Sequence, residues 1–209
     1  KNLIRKLPAQ DEHGRALDTY SHSRKITKSI LDEVRLGGAI NSAAAKQSVS
    51  ACVDSILQNP DAMLWMSRIR EQHNYTVEHS LNVCVLAIAF GRYLGLDELE
   101  LNQLGLCGML HDVGKMRIPE EILNKAGDLN DAEWQVMQQH AVFGRDLLVS
   151  TPDIYSGAID VAYSHHERVD GKGYPRGLKG AAISNYSRII SIVDAYDAIT
   201  AERCYAQAM

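Results

Sequence analysis

The segment YTVEHSLNVCVLAIAFGRYL, residues 75–94, carries apolar side chains around nearly the whole circumference of a helix. A helix of that kind needs packing partners on several sides, so it must run through the middle of its domain. The rest of the chain supplies those partners. Ile26, Ile30, Leu31 and Val34 recur at helical spacing and stop at Gly37 and Gly38, and residues 42–57 repeat the pattern. Asp97 opens a helix with acids in its first turn that delivers His111 and Asp112 at its far end. Pro119 can open a short helix, Asn130 or Asp131 can cap the next, Pro152 can begin another toward His165, and residues 187–201 supply the last, with Asp194. No alternating run of β-branched residues is long enough to require a sheet. These patterns predict an all-α, multi-helix bundle with an N-terminal helical extension.

Composition narrows the class. With 45% hydrophobic and 23% charged residues among 209, the chain can bury one sizeable core. A formal net charge of −4 gives no reason to expect long nucleic acid as a partner. Cys52, Cys84, Cys107 and Cys204 are widely spaced with no CxxC pair, which reads as buried thiols in a reducing cytosol, and the expected location is cytoplasmic. No apolar run reaches the ~20 residues of a membrane span. Residues 1–20 are polar, contain Pro8 and Gly14, and read as a linker or arm; 21–70 read as the helical extension and 71–209 as the main domain. The opening Lys and unterminated end are expected of a fragment. Lys1, Arg5, Lys6, Arg24, Lys25 and Lys28 are interspersed with acids and read as a solvated face.

Five of the eight histidines change the picture. His79, His111, His140, His165 and His166 fall beside helix ends or at inward-facing positions, and with Asp112 and Asp194 they can form a dinuclear metal site. In the HD doublet, the Asp112 carboxylate can hold two cations with its two oxygens, whereas the neighbouring imidazole binds one. Consecutive residues inside a helix diverge by about 100°, so His165 and His166 reach one ion only where the helix ends, and Asp170-Gly171 supplies an ending. Mixed imidazole and carboxylate ligands suit iron, manganese, zinc or nickel and disfavour calcium; the residues do not choose among them, and the expectation is two divalent ions, iron or manganese, with zinc, nickel or cobalt as alternatives. Two ions about 3.5–4 Å apart would acidify a bridging water to hydroxide and neutralise charge on phosphorus, so hydrolysis of a phosphoester is the natural reaction. Lys115, one short turn beyond the HD pair, can reach a non-bridging phosphate oxygen. Asp112 and Lys115 are thus the candidate catalytic residues.

Taken together, YTVEHS, LHDVGKMRIP, QQHAVFG, HHERVDGKGYP and IVDAYDAIT, spread from about 75 to 205, resemble the HD-GYP phosphodiesterases, a branch of the HD metal-dependent phosphohydrolases. The resemblance implies hydrolysis of cyclic di-GMP to linear pGpG or, after a second cut, GMP. It implies one metal on His79, His111, Asp112 and Asp194 and another on Asp112, His140, His165 and His166. It also implies a ligand pocket touched by Lys115, Gly171, Gly173, Tyr174, Pro175 and Arg203, with diguanylate cyclase (GGDEF) domains as partners through the GYP loop. The helical stretch before the core, including LDEVRLGGAI and ILQNPDAMLWMSRIR, resembles the segment that follows an N-terminal regulatory domain in one HD-GYP subgroup, and a dimer or signalling element, with a homodimer, is among the expectations. Two departures stand out. Some members carry a glutamate four residues before the first ligand histidine to hold a third metal, and here that place is Tyr75; many read RPYR where this chain reads RCYA, so Arg203 is kept and Ala206 lacks the second charge. Competing readings are another nucleotide as substrate, or a sensor that binds without turnover.

Overall fold

The computed structural model describes the backbone of residues 9–68 and 75–206, with side chains described for 13–68 and 75–201. All of the regular elements among these residues are helical. In chain order they are α1 (Ala9–Arg35), α2 (Ser42–Gln58), α3 (Pro60–Met66), α4 (Tyr75–Tyr93), α5 (Glu98–Leu110), α6 (Glu120–Leu123), α7 (Asp131–Gln138), α8 (His140–Val149), α9 (Ser156–Ser164) and α10 (Asn185–Ala206). Two short 3₁₀ segments, Val113–Arg117 and Gly180–Ala182, link α5 to α6 and lead into α10. A single antiparallel bridge joins Asp170 to Lys179.

The caps are those that the sequence supplies. Asn41 and Asn59 accept backbone N–H bonds at the starts of α2 and α3, and Pro60 fills the first position of α3. Asp97 with Glu100 and Asn130 with Glu133 form reciprocal capping boxes at α5 and α7. Helix α4 is buried along most of its length and packs most extensively on α5, with α10, α1 and α2 on its other sides. The all-round apolar pattern of residues 75–94 is the sequence signature of that central position.

Two expectations need correction. Residues 9–20, read as an arm, are the first turns of α1, and Ala16 and Tyr20 lie in the core. Tyr20 Oη donates to Asn82 Oδ1 on α4 at 2.6 Å, so a long-range contact stabilises a stretch that is weak by local propensity. Pro152 does not begin a helix: it sits in a turn that continues into Asp153 at φ 57°, and α9 starts only at Ser156. The expected boundary at 70/71 lies outside the described residues. Cys52, Cys84 and Cys107 are buried free thiols.

Candidate metal centre

Each ligand candidate sits where a helix begins, ends or is buried. His79 projects from the second turn of α4, His111 caps the C-terminus of α5, and Asp112 follows at the bend into the 3₁₀ segment. His140 opens α8. His165 caps α9 and His166 lies beyond it, so the termination of α9 at Ser164 lets the adjacent imidazoles turn toward one place. Close backbone packing fixes this arrangement: a β-carbon at Gly114 would collide with the His140 carbonyl oxygen and the Gly144 amide, so only glycine lets the 3₁₀ segment lie against α8.

The donor atoms converge into two groups, Asp112 with His140, His165 and His166, and His79 with His111 and Asp194. Within each, the donors lie within 4.8 Å of one another. Asp112 stands between them and is buried. Its Oδ1 is 3.4 Å from His140 Nε2 and 3.6 Å from His165 Nε2. Its Oδ2 is 3.5 Å from His79 Nε2 and 3.2 Å from His111 Nε2. Asp194 Oδ1 is 3.0 Å from His79 Nε2 and 3.9 Å from His111 Nε2.

The tautomers follow from the other ring nitrogens. Nδ1 of His111 faces the Gly108 carbonyl at 2.7 Å, that of His140 faces the Met137 carbonyl at 2.7 Å, and that of His165 faces the Val161 carbonyl at 3.1 Å. His79 Nδ1 faces Asp197 Oδ2 at 2.8 Å. Carbonyls and carboxylates only accept, so each Nδ1 donates, and the Nε2 atoms of His111, His140 and His165 are left to direct lone pairs at the centre, whereas His79 Nε2 faces the Asp112 and Asp194 carboxylates. His111 Nε2 and Asp112 Oδ1 are buried without a hydrogen-bond partner. Such orphans are costly unless something electrophilic sits between them, and a transition-metal cation fits this donor set.

Charge states differ across the centre: His140 and His166 are ready as neutral ligands, whereas His79 holds a proton that a cation would have to displace. Burial, reinforced by the neighbouring imidazoles, pushes His140 down to about 3 and lowers His166 further, so both stay neutral. Burial opposes a charge on His79, but hydrogen bonds to Asp112, Asp194 and Asp197 outweigh it and raise its pKa well above the usual value. Burial likewise disfavours ionised Asp112 and Asp194, yet Lys115 and His111 hold the first, and His79 and His111 the second, well below the usual carboxylate range. Lys115 Nζ donates to Asp112 Oδ2 at 2.5 Å; burial works against its charge and Asp112 more than restores it.

The centre opens into a cavity of about 680 Å³. Lys115 and Tyr174 line it, together with His79, His140, His166 and Asp194. The Tyr174 ring stacks on His166, with centroids 4.8 Å apart at 27°, and Trp134 meets it edge-on at 6.0 Å. Gly171, Gly173 and Pro175 are not among the lining residues. A β-carbon at Gly173 would collide with the His166 carbonyl oxygen and the Arg168 amide, and Gly171, at φ 77°, lies under the Lys179 side chain. Their role is to fold the loop back so that Tyr174 faces the cavity. The Arg203 side chain lies outside the described residues. Tyr75 stacks on His79 with centroids 5.6 Å apart, and Glu78 pairs with Arg24 at 3.0 Å, so neither offers a carboxylate to a third ion here.

Sequence reasoning missed two residues. Asp197, buried, orients His79; its signal was its position one turn after Asp194 on the same helix. Glu167, also buried, accepts the Arg176 and Leu178 amides at 2.7 and 2.8 Å and ties the GYP loop shut. Its signal was an acid beside the histidine pair.

Comparison with known proteins bears on the same residues. A family model described as HD domain matches residues 55–209. The chain is 37% identical over 200 residues to the cyclic di-GMP phosphodiesterase PA4108 of Pseudomonas aeruginosa, covering 96% of this chain and 48% of that protein. It is 41% identical over 148 residues to the 3'3'-cGAMP-specific phosphodiesterase 1 of Vibrio cholerae, covering 71% of this chain and 34% of the relative. The chain therefore spans half or less of the length of these relatives. Among solved structures, the fold is similar to Bd1817, an HDG"Y"P protein from Bdellovibrio bacteriovorus, with a TM-score of 0.74 over 96% of this chain and 64% of the other at 19% identity.

Proposed function

Because the chain belongs to the HD domain family, in its HD-GYP branch, we propose that it is a metal-dependent phosphodiesterase that opens a 3'3'-linked cyclic dinucleotide, cyclic di-GMP first among them. The observation that carries this reading is the buried Asp112 carboxylate, whose two oxygens each face two imidazole nitrogens. His79, His111, Asp112 and Asp194 would hold one ion, and Asp112, His140, His165 and His166 the other. When bound, the cation pair supplies an acidified water as nucleophile and neutralises charge on the phosphoryl oxygens.

The chain's own groups do the rest. Lys115 keeps its ammonium beside the bridge and on the cavity wall, where it can donate to a non-bridging phosphate oxygen as charge accumulates. Tyr174 keeps its phenol neutral, because burial first and the Asp112 and Asp194 charges second raise its pKa, so its hydroxyl remains a donor toward the ligand. Its ring and that of Trp134 form an aromatic wall suited to a purine face. The cleavage products are linear pGpG and, if the opened product rebinds, GMP. The outer side of the loop, Arg168, Val169 and Lys172, is exposed, which suits contact with a second protein such as a GGDEF domain. No helix among the described residues is long and apolar enough to cross a membrane.

The test is anaerobic loading with iron or manganese, followed by chromatography of the products from cyclic di-GMP, 3'3'-cGAMP and pGpG. Appearance of pGpG in the wild type and its absence in Asp112→Ala supports the reading. Turnover by that variant at the wild-type rate refutes it.

A further inference from the structure

The family model starts at residue 55, yet the cavity wall is not confined to the residues it matches. Asp32 and Arg35, near the C-terminus of α1, also line the cavity. They stand three residues apart and so share a helix face. Arg35 is held at the rim: its guanidinium bonds Glu120 Oε1 at 2.5 Å and Met116 Sδ at 3.5 Å. Met116 follows Lys115, so the anchor that orients Arg35 belongs to the segment that carries the candidate catalytic lysine. Asp32 pairs with Lys28 on its own helix, and both side chains are more than half exposed, so this carboxylate can turn to a ligand at small cost.

A carboxylate beside a guanidinium is a specific pair of hydrogen-bonding groups. Guanine offers N1–H and N2–H₂ donors on one edge and O6 and N7 acceptors on the other, which match a carboxylate and an arginine fork respectively. Adenine presents an acceptor at N1 and a donor at N6, so the same pair would face it with like against like. Resting on the phosphodiesterase reading above, we propose that Asp32 and Arg35 select guanine, and that the N-terminal helix thereby sets which cyclic dinucleotide the metal centre accepts.

Packing supports a fixed rather than incidental wall. Tyr20 and Arg24 on the same helix bond Asn82 and Glu78, so α1 is docked along the part of α4 that carries His79. The distance from the centre to the base-reading pair is thereby set by the fold.

The experiment is steady-state kinetics of the metal-loaded full chain on cyclic di-GMP, 3'3'-cGAMP and cyclic di-AMP, with Asp32→Asn, Arg35→Gln and Arg35→Ala compared to wild type. The expected result is that each variant lowers the ratio of kcat/KM for cyclic di-GMP over cyclic di-AMP by about 5- to 100-fold, mostly through KM, as the loss of one base-edge contact implies. Glu33→Gln, on the same helix and away from the cavity, keeps the ratio. Thermal unfolding of each variant separates a lost contact from a lost fold, and Asp32→Asn, which preserves shape, decides the case if the arginine variants unfold early. A wild-type ratio near one, or an unchanged ratio in folded Asp32→Asn and Arg35→Gln, overturns the inference while leaving the phosphodiesterase reading intact. A wild type that takes up two metals and cleaves none of the three dinucleotides overturns both.

Discussion

The two halves of the candidate centre are built by different means. Around Asp112 Oδ1, His140 and His165 rest their Nδ1 atoms on carbonyls of their own chain neighbourhood, Met137 and Val161. Each ring is oriented within its own helix turn, and burial keeps His140 neutral. Around Oδ2, His79 comes from α4, His111 from α5 and Asp194 from α10, and His79 is oriented by a carboxylate, Asp197, rather than by a carbonyl. That half depends on three helices docking correctly and holds more negative charge. Both halves need helices to dock, but only the second depends on carboxylates from α10, Asp194 as a candidate ligand and Asp197 as the support of His79, so the second should bind a divalent cation more tightly while being easier to disrupt at a distance.

The comparison can be broken most forcefully at the residue that joins the halves. Asp112→Ala should remove both ions and abolish cleavage, while circular dichroism still reports a helical protein; elemental analysis after gel filtration checks it. Removing one ligand from each half comes next. His140→Ala and His79→Ala should each leave about one ion per chain, and titration should show the ion retained by His140→Ala, in the more anionic half, as the tighter of the two.

A subtler test acts through orientation alone. Asp197→Asn keeps every direct ligand but lets His79 change tautomer, and should weaken the Oδ2-side ion by about 10–100-fold without altering the other. Metal competition with a chelator measures that split. The smallest effect is expected at the loop behind the Oδ1 half. Glu167→Ala removes two charge-assisted bonds to the Arg176 and Leu178 amides, a loss of about 2–4 kcal/mol, and should lower Tm by several degrees while both ions remain bound.

Much of this architecture was legible in the sequence because helix ends have local chemistry. Asp97 and Asn130 announced their caps, and the histidines adjacent to predicted ends are the ones whose side chains converge. What was not legible depends on partners distant in the chain. Residues 9–20 look polar in isolation and join α1 because Ala16 and Tyr20 find the core, with Asn82, 62 residues from Tyr20, accepting its hydroxyl. Asp197 looks like any helical acid until α10 docks it against His79. Asp32 and Arg35 drew no assignment, since nothing in local spacing reveals that α1 ends beside the cavity. Gly171 and Gly173 were legible as special but not as to purpose: loop closure, rather than contact with a ligand, is what their surroundings require.

The most direct test of the account is the number of transition-metal ions bound per chain after anaerobic reconstitution of the wild type and of Asp112→Ala. A bridging carboxylate predicts about two ions in the first and none retained in the second. Two ions in both proteins, or none in either, would contradict it.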